Sequence, residues 1–175
     1  MIAIRGIREM TAAIGLLSDY PAVKLSLAGT FYPIDLGTTI MRLPGADKLE
    51  YLGQQSRSDV RTLFGSSRAG LVTFYPVRNH VEAQPNKLFE YMSAGLPVIA
   101  SDFPLWRQII EGADCGLLVD PCDPSQIADA MRYLLEHSDE GEAMGKLGRL
   151  AVEEKYNWER EGIKLVQLYD RILNQ

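Results

Sequence analysis

The sequence predicts an α/β fold built on a parallel sheet. Short apolar runs alternate with longer amphipathic stretches along the whole chain. Glycine and proline stand at many of the junctions. No internal repeat, low-complexity tract or long linker breaks the pattern. Strands that alternate with helices read as consecutive βα units. In such sheets ligands bind beyond the carboxyl ends of the strands.

Each element has a local reason. Ile7, Met10, Ile14 and Leu17 recur at helical spacing within residues 5–18, and Asp19-Tyr20-Pro21 ends that helix. Val23 to Leu27 read as a strand stopped by Gly29, and a weak helix spans Ile34 to Leu43 before Pro44-Gly45. Leu49 to Leu52 form a second strand ending at Gly53, Ser58 to Phe64 a helix, and Leu71 to Tyr75 a third strand. The loop Pro76 to Gln84 precedes a helix from Pro85 to Ser93, with proline pre-set for the first helical position and Gly95 as the stop. Val98 to Ala100 are the fourth strand, and Pro104 opens a helix carrying Leu105, Trp106, Ile109 and Ile110. Gly116 to Val119 are the fifth strand. Asp123 caps the next helix with Gln126 as capping-box partner, and Ile127, Met131 and Leu135 line one face. Two helices near 139–154 and 158–173 close the chain. Trp106 and Trp158 read as core anchors, and Met10, Met92 and Met131 as packing.

Composition narrows the function. A chain of 175 residues suits one domain, residues 1–175, that buries its own core without staples. Twenty-three acidic against 18 basic residues give a net charge of −5, which argues against a nucleic-acid binder but allows a local cationic pocket. No apolar run reaches the roughly 18 residues that cross a bilayer, and the first residues do not read as a signal peptide. Cys115 and Cys122 make no CxxC pair and His80 and His137 are the only histidines, so neither a zinc site nor a disulfide framework is expected. Two reduced thiols fit a cytoplasmic protein. No GxxxxGK[ST] loop or GxSxG elbow occurs.

The densest polar cluster follows the third strand: Arg78-Asn79-His80-Val81-Glu82-Ala83-Gln84-Pro85-Asn86-Lys87-Leu88-Phe89-Glu90. A helix amino end at a strand tip offers unpaired N–H groups and a positive dipole end, which suits an anion. A carboxylate deeper in the helix suits paired hydroxyls, since it can accept two hydrogen bonds. The alternative is that Glu82 is a solvated loop charge and Glu90 pairs with Asn86 or Lys87 along the helix. His80 reads as a loop residue rather than a base.

The run from Glu82 to Glu90, continued by Tyr91-Met92-Ser93-Ala94-Gly95-Leu96-Pro97-Val98-Ile99-Ala100-Ser101-Asp102, resembles the E-x7-E signature of retaining GT-B glycosyltransferases. It is most similar to the group 1 transferases of bacterial polysaccharide and cell-wall assembly. Arg5-Gly6-Ile7, Tyr51-Leu52-Gly53, Asn157-Trp158 and Tyr169 resemble flanking family positions. The resemblance implies a Rossmann-like, three-layer, doubly wound sheet forming the donor-binding, C-terminal half of a two-domain enzyme. It implies that Glu90 binds the ribose hydroxyls of a UDP- or GDP-sugar and that Glu82 contacts the transferred sugar. Gln84, Pro85 and Asn86 would lie along sugar and diphosphate, and Gly53 and Gln54 near the base. Arg5 stands where lysine is commoner and would neutralise the departing diphosphate, to which guanidinium can bind bidentately. Lys87 is either a second phosphate cation or an exposed helix charge. The resemblance implies no cofactor and no essential metal.

One departure matters. The family's nucleotide domain begins with a central strand and a glycine-rich turn before the position of Arg5, where only four residues stand here. A sheet without its centre would leave backbone groups unpaired. Met1 to Ile4 supply a stub, or another chain completes the sheet by oligomerisation or strand exchange, or the chain is a piece cut close. The N-terminal acceptor domain, which would bring a lipid-linked or saccharide acceptor, is outside the chain, so the isolated chain is expected not to turn over. The full-length enzyme would be cytoplasmic or peripheral to a membrane. The competing readings are a non-catalytic doubly wound binding module and one half of a nucleotide-sugar epimerase.

Overall fold

The computed structural model describes residues 1–173. The described strands are β1 (Leu25–Ala28), β2 (Leu49–Gly53), β3 (Gly70–Val72), β4 (Val98–Ser101) and β5 (Gly116–Val119). Helices follow as α1 (Ile7–Gly15), α2 (Ile34–Ile40), α3 (Arg57–Ser66), α4 (Arg78–Val81) and α5 (Asn86–Ser93). The series closes with α6 (Pro104–Ala113), α7 (Pro124–Glu136), α8 (Ser138–Glu154) and α9 (Trp158–Leu173). The expected parallel α/β architecture is present, with β5 as read from the sequence and the other strand ends displaced by at most three residues.

The strands form two parallel sheets rather than one. β1 pairs with β2, and β4 pairs with β3 on one side and β5 on the other. β4 is buried along its whole length. Its alternate side chains serve different layers, as the two-residue period of a strand requires. Ile99 packs with Ile7, Met10, Ile14 and Ile127 from α1 and α7. Val98 and Ala100 pack with Leu88, Met92, Trp106 and Ile110 from α5 and α6. Helices therefore cover both faces of the strand layer. Met1 to Ile4 do not supply a strand between the two sheets: Ala3–Arg5 form a single 3-10 turn.

Two helix starts are fixed by side chains. Asp123 accepts from the Ser125 and Gln126 amides at the head of α7, while the Gln126 side chain accepts from the Asp120 amide. Ser56 and Asp59 form a full capping box at α3, which the sequence reading had not placed. Below α1, the buried Lys48 ammonium donates to the Leu17 and Tyr20 carbonyls, pairing backbone oxygens just past the helix end.

The last two helices differ in kind. α8 buries Gly141, Gly145 and Gly148 and so approaches α5 and the turn at Gly95 closely. α9 buries none of its described residues, and Trp158 is 80% exposed, so it is not a core anchor as expected. An amphipathic stripe shows which face is apolar, not whether a neighbour covers it. Trp106, by contrast, is fully buried.

A Cβ added at Gly145 would run into the Gly95 carbonyl oxygen, which is backbone and cannot swing aside. One added at Gly112 in α6 would meet nothing. Gly145→Ala is expected to destabilise the chain by about 1–3 kcal/mol through overpacking. Gly112→Ala should stabilise it by up to about 1 kcal/mol through helix propensity. Urea unfolding of both variants checks the contrast, and equal effects would contradict the packing of α8.

The two thiols are also distinguishable. Cys115 is fully buried, and desolvation pushes its pKa up to about 11; Cys122 is exposed, though desolvation and then Asp120 raise its pKa as well. A thiol-specific reagent should therefore titrate Cys122 promptly at neutral pH. Cys115 should react only at the rate at which the domain opens.

Candidate functional site

The site is assembled at the carboxyl tips of β3 and β4. Beyond β3 the chain continues through Thr73, Phe74 and Tyr75, turns once as α4, and enters α5. The N-terminal segment is tied to the same place, because the Tyr75 amide donates to the Ile4 carbonyl at 2.9 Å. Gly6 follows with φ of 69°, and a Cβ there would overlap the Thr73 carbonyl oxygen. Only glycine meets both demands. The close approach sets Arg5 over the Phe74 ring, with the guanidinium carbon 5.1 Å from the centroid. The Tyr75 hydroxyl donates to Glu9 of α1 at 2.7 Å, which ties strand tip to helix. Burial and then the Glu9 carboxylate hold that phenol well above its ordinary pKa.

A cavity of about 440 Å³ opens here. Arg5, Pro85, Asn86, Lys87 and Glu90 all line it, so the structure brings together five of the nine residues singled out in the sequence. The amino end of α5 has no side-chain cap; the Leu88 N–H donates to the Pro85 carbonyl at 3.1 Å, which leaves the Asn86 and Lys87 N–H groups to be met from outside. Two cations, a positive helix end and one carboxylate thus share a hollow. Such a set fits a ligand that carries both anionic oxygens and hydroxyls.

Four singled-out residues stand elsewhere. The Glu82 side chain is 64% exposed, pairs with Arg78 at 3.3 Å and does not line this cavity. The segment 78–81, expected as loop, coils into one helical turn, and that places Arg78 and Glu82 four residues apart on one face. Gln84 is exposed beside the cavity without lining it. Gly53 ends β2 and Gln54 follows it; neither lines this cavity, while their neighbours Gln55 and Ser56 line a second, larger one. This second cavity, of about 830 Å³, meets the first at Arg5, Phe74, Lys87 and Glu90.

Phe74, Asn79, His80 and Trp106 also line the smaller cavity and were not assigned to it from the sequence. The Trp106 indole N–H donates to the Ala83 carbonyl at 2.7 Å and so pins the segment before α5. The His80 ring lies 4.9 Å from that of Phe74, centroid to centroid, and its Nδ1 donates to the Tyr75 carbonyl at 3.0 Å. Glu90 also acts on its neighbour: burial and then the Glu90 charge push the Tyr91 phenol up to about 12. Among the described residues, no three His, Cys, Asp or Glu side chains cluster as metal ligands would.

Comparison with known proteins agrees with this geometry. The family described as glycosyl transferases group 1 matches residues 5–151. The chain belongs to that family. It is 32% identical over 85 residues to a phosphatidyl-myo-inositol mannosyltransferase of Mycobacterium leprae, a match that spans 49% of this chain and 22% of that protein. Sucrose-phosphate synthase from Thermosynechococcus elongatus superposes with a TM-score of 0.84 at 24% identity, over 98% of this chain and 43% of that one. The Anabaena protein HepE, solved with UDP-glucose, superposes with a TM-score of 0.80 at 17% identity, over 97% of this chain and 46% of that one. The chain thus spans less than half the length of each of these three proteins.

The Trp106–Ala83 bond provides a test of how the site is held. Trp106→Phe keeps an aromatic core residue and removes one donor, at an expected cost of about 1–3 kcal/mol for the orphaned carbonyl. Amide exchange should accelerate more at Ala83 and Gln84 than in β4. Uniform acceleration across both segments would show that the indole does not anchor this loop.

Proposed function

We propose that the chain is the nucleotide-sugar-binding half of a glycosyltransferase, and that it holds the donor in the cavity at the amino end of α5. The observation that carries this reading is the convergence of Arg5, Lys87 and Glu90 on one hollow at the strand tips. Arg5, Lys87 and the first-turn N–H groups of α5 would bind the diphosphate, and Glu90 the ribose hydroxyls. The family match and the UDP-glucose complex of HepE support a UDP- or GDP-sugar as donor.

In the reaction we propose, the bond between the anomeric carbon and the diphosphate oxygen breaks, and its electron pair leaves with the diphosphate. The acceptor oxygen attacks the same face, so configuration is retained. The acceptor's proton passes to the leaving phosphate oxygen. Arg5, Lys87 and the helix dipole would stabilise the charge growing on that oxygen, with donors fixed before the reaction begins. The chemistry needs no metal in this reading. Glu82 would contact the transferred sugar after releasing Arg78; an exposed pair of this kind is worth at most about 1 kcal/mol. A lipid-linked or saccharide acceptor would be presented by an N-terminal acceptor domain, without which this chain should bind donor and not turn it over.

Calorimetry with UDP-glucose, GDP-mannose and ADP-glucose tests the site. At least one donor should bind, and Glu90→Ala should weaken it at least tenfold, or about 1.4 kcal/mol. Arg5→Ala should weaken binding and flatten its salt dependence. Failure of every donor to bind, or unchanged affinity in Glu90→Ala, would overturn the assignment.

A further inference from the structure

The turn that carries Glu82 out of the smaller cavity carries His80 into it. Successive helical residues step by about 100°, so residues two apart stand on opposite sides. In α4 Arg78 pairs with Glu82 on the outer face, where both side chains are exposed. His80 lies midway between them in sequence and lines the cavity of about 440 Å³.

Two contacts hold the imidazole before any ligand arrives. Its Nδ1 lies 3.0 Å from the Tyr75 carbonyl, and a carbonyl only accepts, so Nδ1 carries a proton. The ring also packs on Phe74, with centroids 4.9 Å apart. Phe74 is buried and takes a T-shaped contact from Trp106 at 5.7 Å, with Arg5 over its face. The imidazole is therefore fixed by the strand tip and not by α4 alone. Nε2, across the ring, has no hydrogen-bond partner among the described residues and is the nitrogen left for a ligand.

The order of groups along the cavity decides which part of a ligand meets it. Glu90 lies four residues inside α5 from Asn86, a rise of about 6 Å. The amino end of α5 comes next, with Asn86 and Lys87. Beyond it the chain runs back through Ala83 to His80, and all of these residues line the hollow. A nucleoside diphosphate sugar has three parts in fixed order. With the ribose at Glu90 and the diphosphate at the amino end of α5, the sugar falls at Ala83 and His80. The Ala83 carbonyl already accepts from the Trp106 indole, and its side chain forms no hydrogen bond. Asn79 lines the same end, but no hydrogen bond among the described residues fixes its side chain.

We propose that His80 is the sugar-selecting residue of this site: its Nε2 hydrogen-bonds one hydroxyl of the transferred sugar and so discriminates among donors that share a nucleotide. This assignment rests on the nucleotide-sugar reading of the cavity and deepens it. A hydroxyl both donates and accepts, so it pairs with Nε2 whether or not that nitrogen carries a proton. A site that hydrogen-bonds a hydroxyl rejects a sugar that lacks it, because its own polar group is left unpaired. His80 moves no proton in this role. It positions the sugar against the cations that hold the diphosphate.

The test compares His80→Asn with the unaltered chain. The asparagine amide can still reach the Tyr75 carbonyl, as Nδ1 does, but has nothing at the place of Nε2. Calorimetry is run with UDP, GDP and ADP beside UDP-glucose, GDP-mannose and ADP-glucose. For the nucleotide that binds, His80→Asn should weaken the sugar nucleotide about tenfold and the nucleoside diphosphate less than about twofold. Donors that each lack one sugar hydroxyl then name the group that is read. One of them should bind the unaltered chain about tenfold more weakly than the parent donor, and bind His80→Asn as well as the parent does. The assignment is overturned if the variant weakens both ligands alike, which would make His80 a phosphate contact or a structural residue, or if it weakens neither. It is also overturned if every deoxy donor loses as much on the variant as on the unaltered chain. In those cases the donor itself still binds and the nucleotide-sugar reading stands. Failure of every sugar nucleotide to bind the unaltered chain overturns both.

Discussion

The pairing of β4 with both β3 and β5 holds the rest of the molecule in place. β4 is the strand with neighbours on both sides and buried side chains on both faces. The segments that build the cavity leave from its pairs: Phe74 and Tyr75 beyond β3, and Trp106 on the helix after β4. The buried Ser101 hydroxyl donates to the Phe74 carbonyl at 2.8 Å, which fixes the distance between the two strand tips. A site built on rigid strand ends keeps its donors aimed without ligand, which is what electrostatic stabilisation of a leaving group requires.

The same ladder explains what could be read from the sequence. β4 and its helices were legible because burial on both faces makes Val98 to Ala100 a continuous apolar run, bounded by Gly95-Leu96-Pro97 and Pro104. The family run from Glu82 to Asp102 lies on that frame, and the group 1 membership read from it is shown by the family match over residues 5–151. Trp158 was misread because its helix has the right stripe and no covering neighbour. Glu82 stands outside the cavity because the turn Arg78–Val81 sets it beside Arg78, and four residues are too few for periodicity to reveal that turn. Beyond β2, Gln55 and Ser56 rather than Gly53 and Gln54 line the larger hollow. Phe74, His80 and Trp106 meet only through the fold, and no linear spacing announces them.

The two cavities share Arg5, Phe74, Lys87 and Glu90, so the sheet's discontinuity and the polar site are one mechanical unit. Arg5 stands where they meet, on a turn held by Ile4 and Gly6. Whatever stiffens the strand layer beneath that turn reduces the freedom that a ligand above must remove. Arg5 itself reaches the site only because Gly6 lies flat against Thr73, so one residue without a side chain sets the position of the charge.

Charge distribution sets the sign of what the hollow attracts. The chain carries a net −5, yet Arg5, Lys87 and the positive end of α5 converge on one concave surface. Like charges held together in a partly enclosed site repel, and no carboxylate is paired with either cation by a salt bridge among the described residues. Glu90 offsets part of this repulsion from the side. A dianionic group between the cations removes the rest, and a ligand that binds only the folded state stabilises it in proportion to the logarithm of its concentration over Kd. Nucleic acid, which needs an extended basic face, gains nothing from so confined a patch on an acidic molecule. A compact diphosphate does, because two cations and a helix amino end meet it at one point.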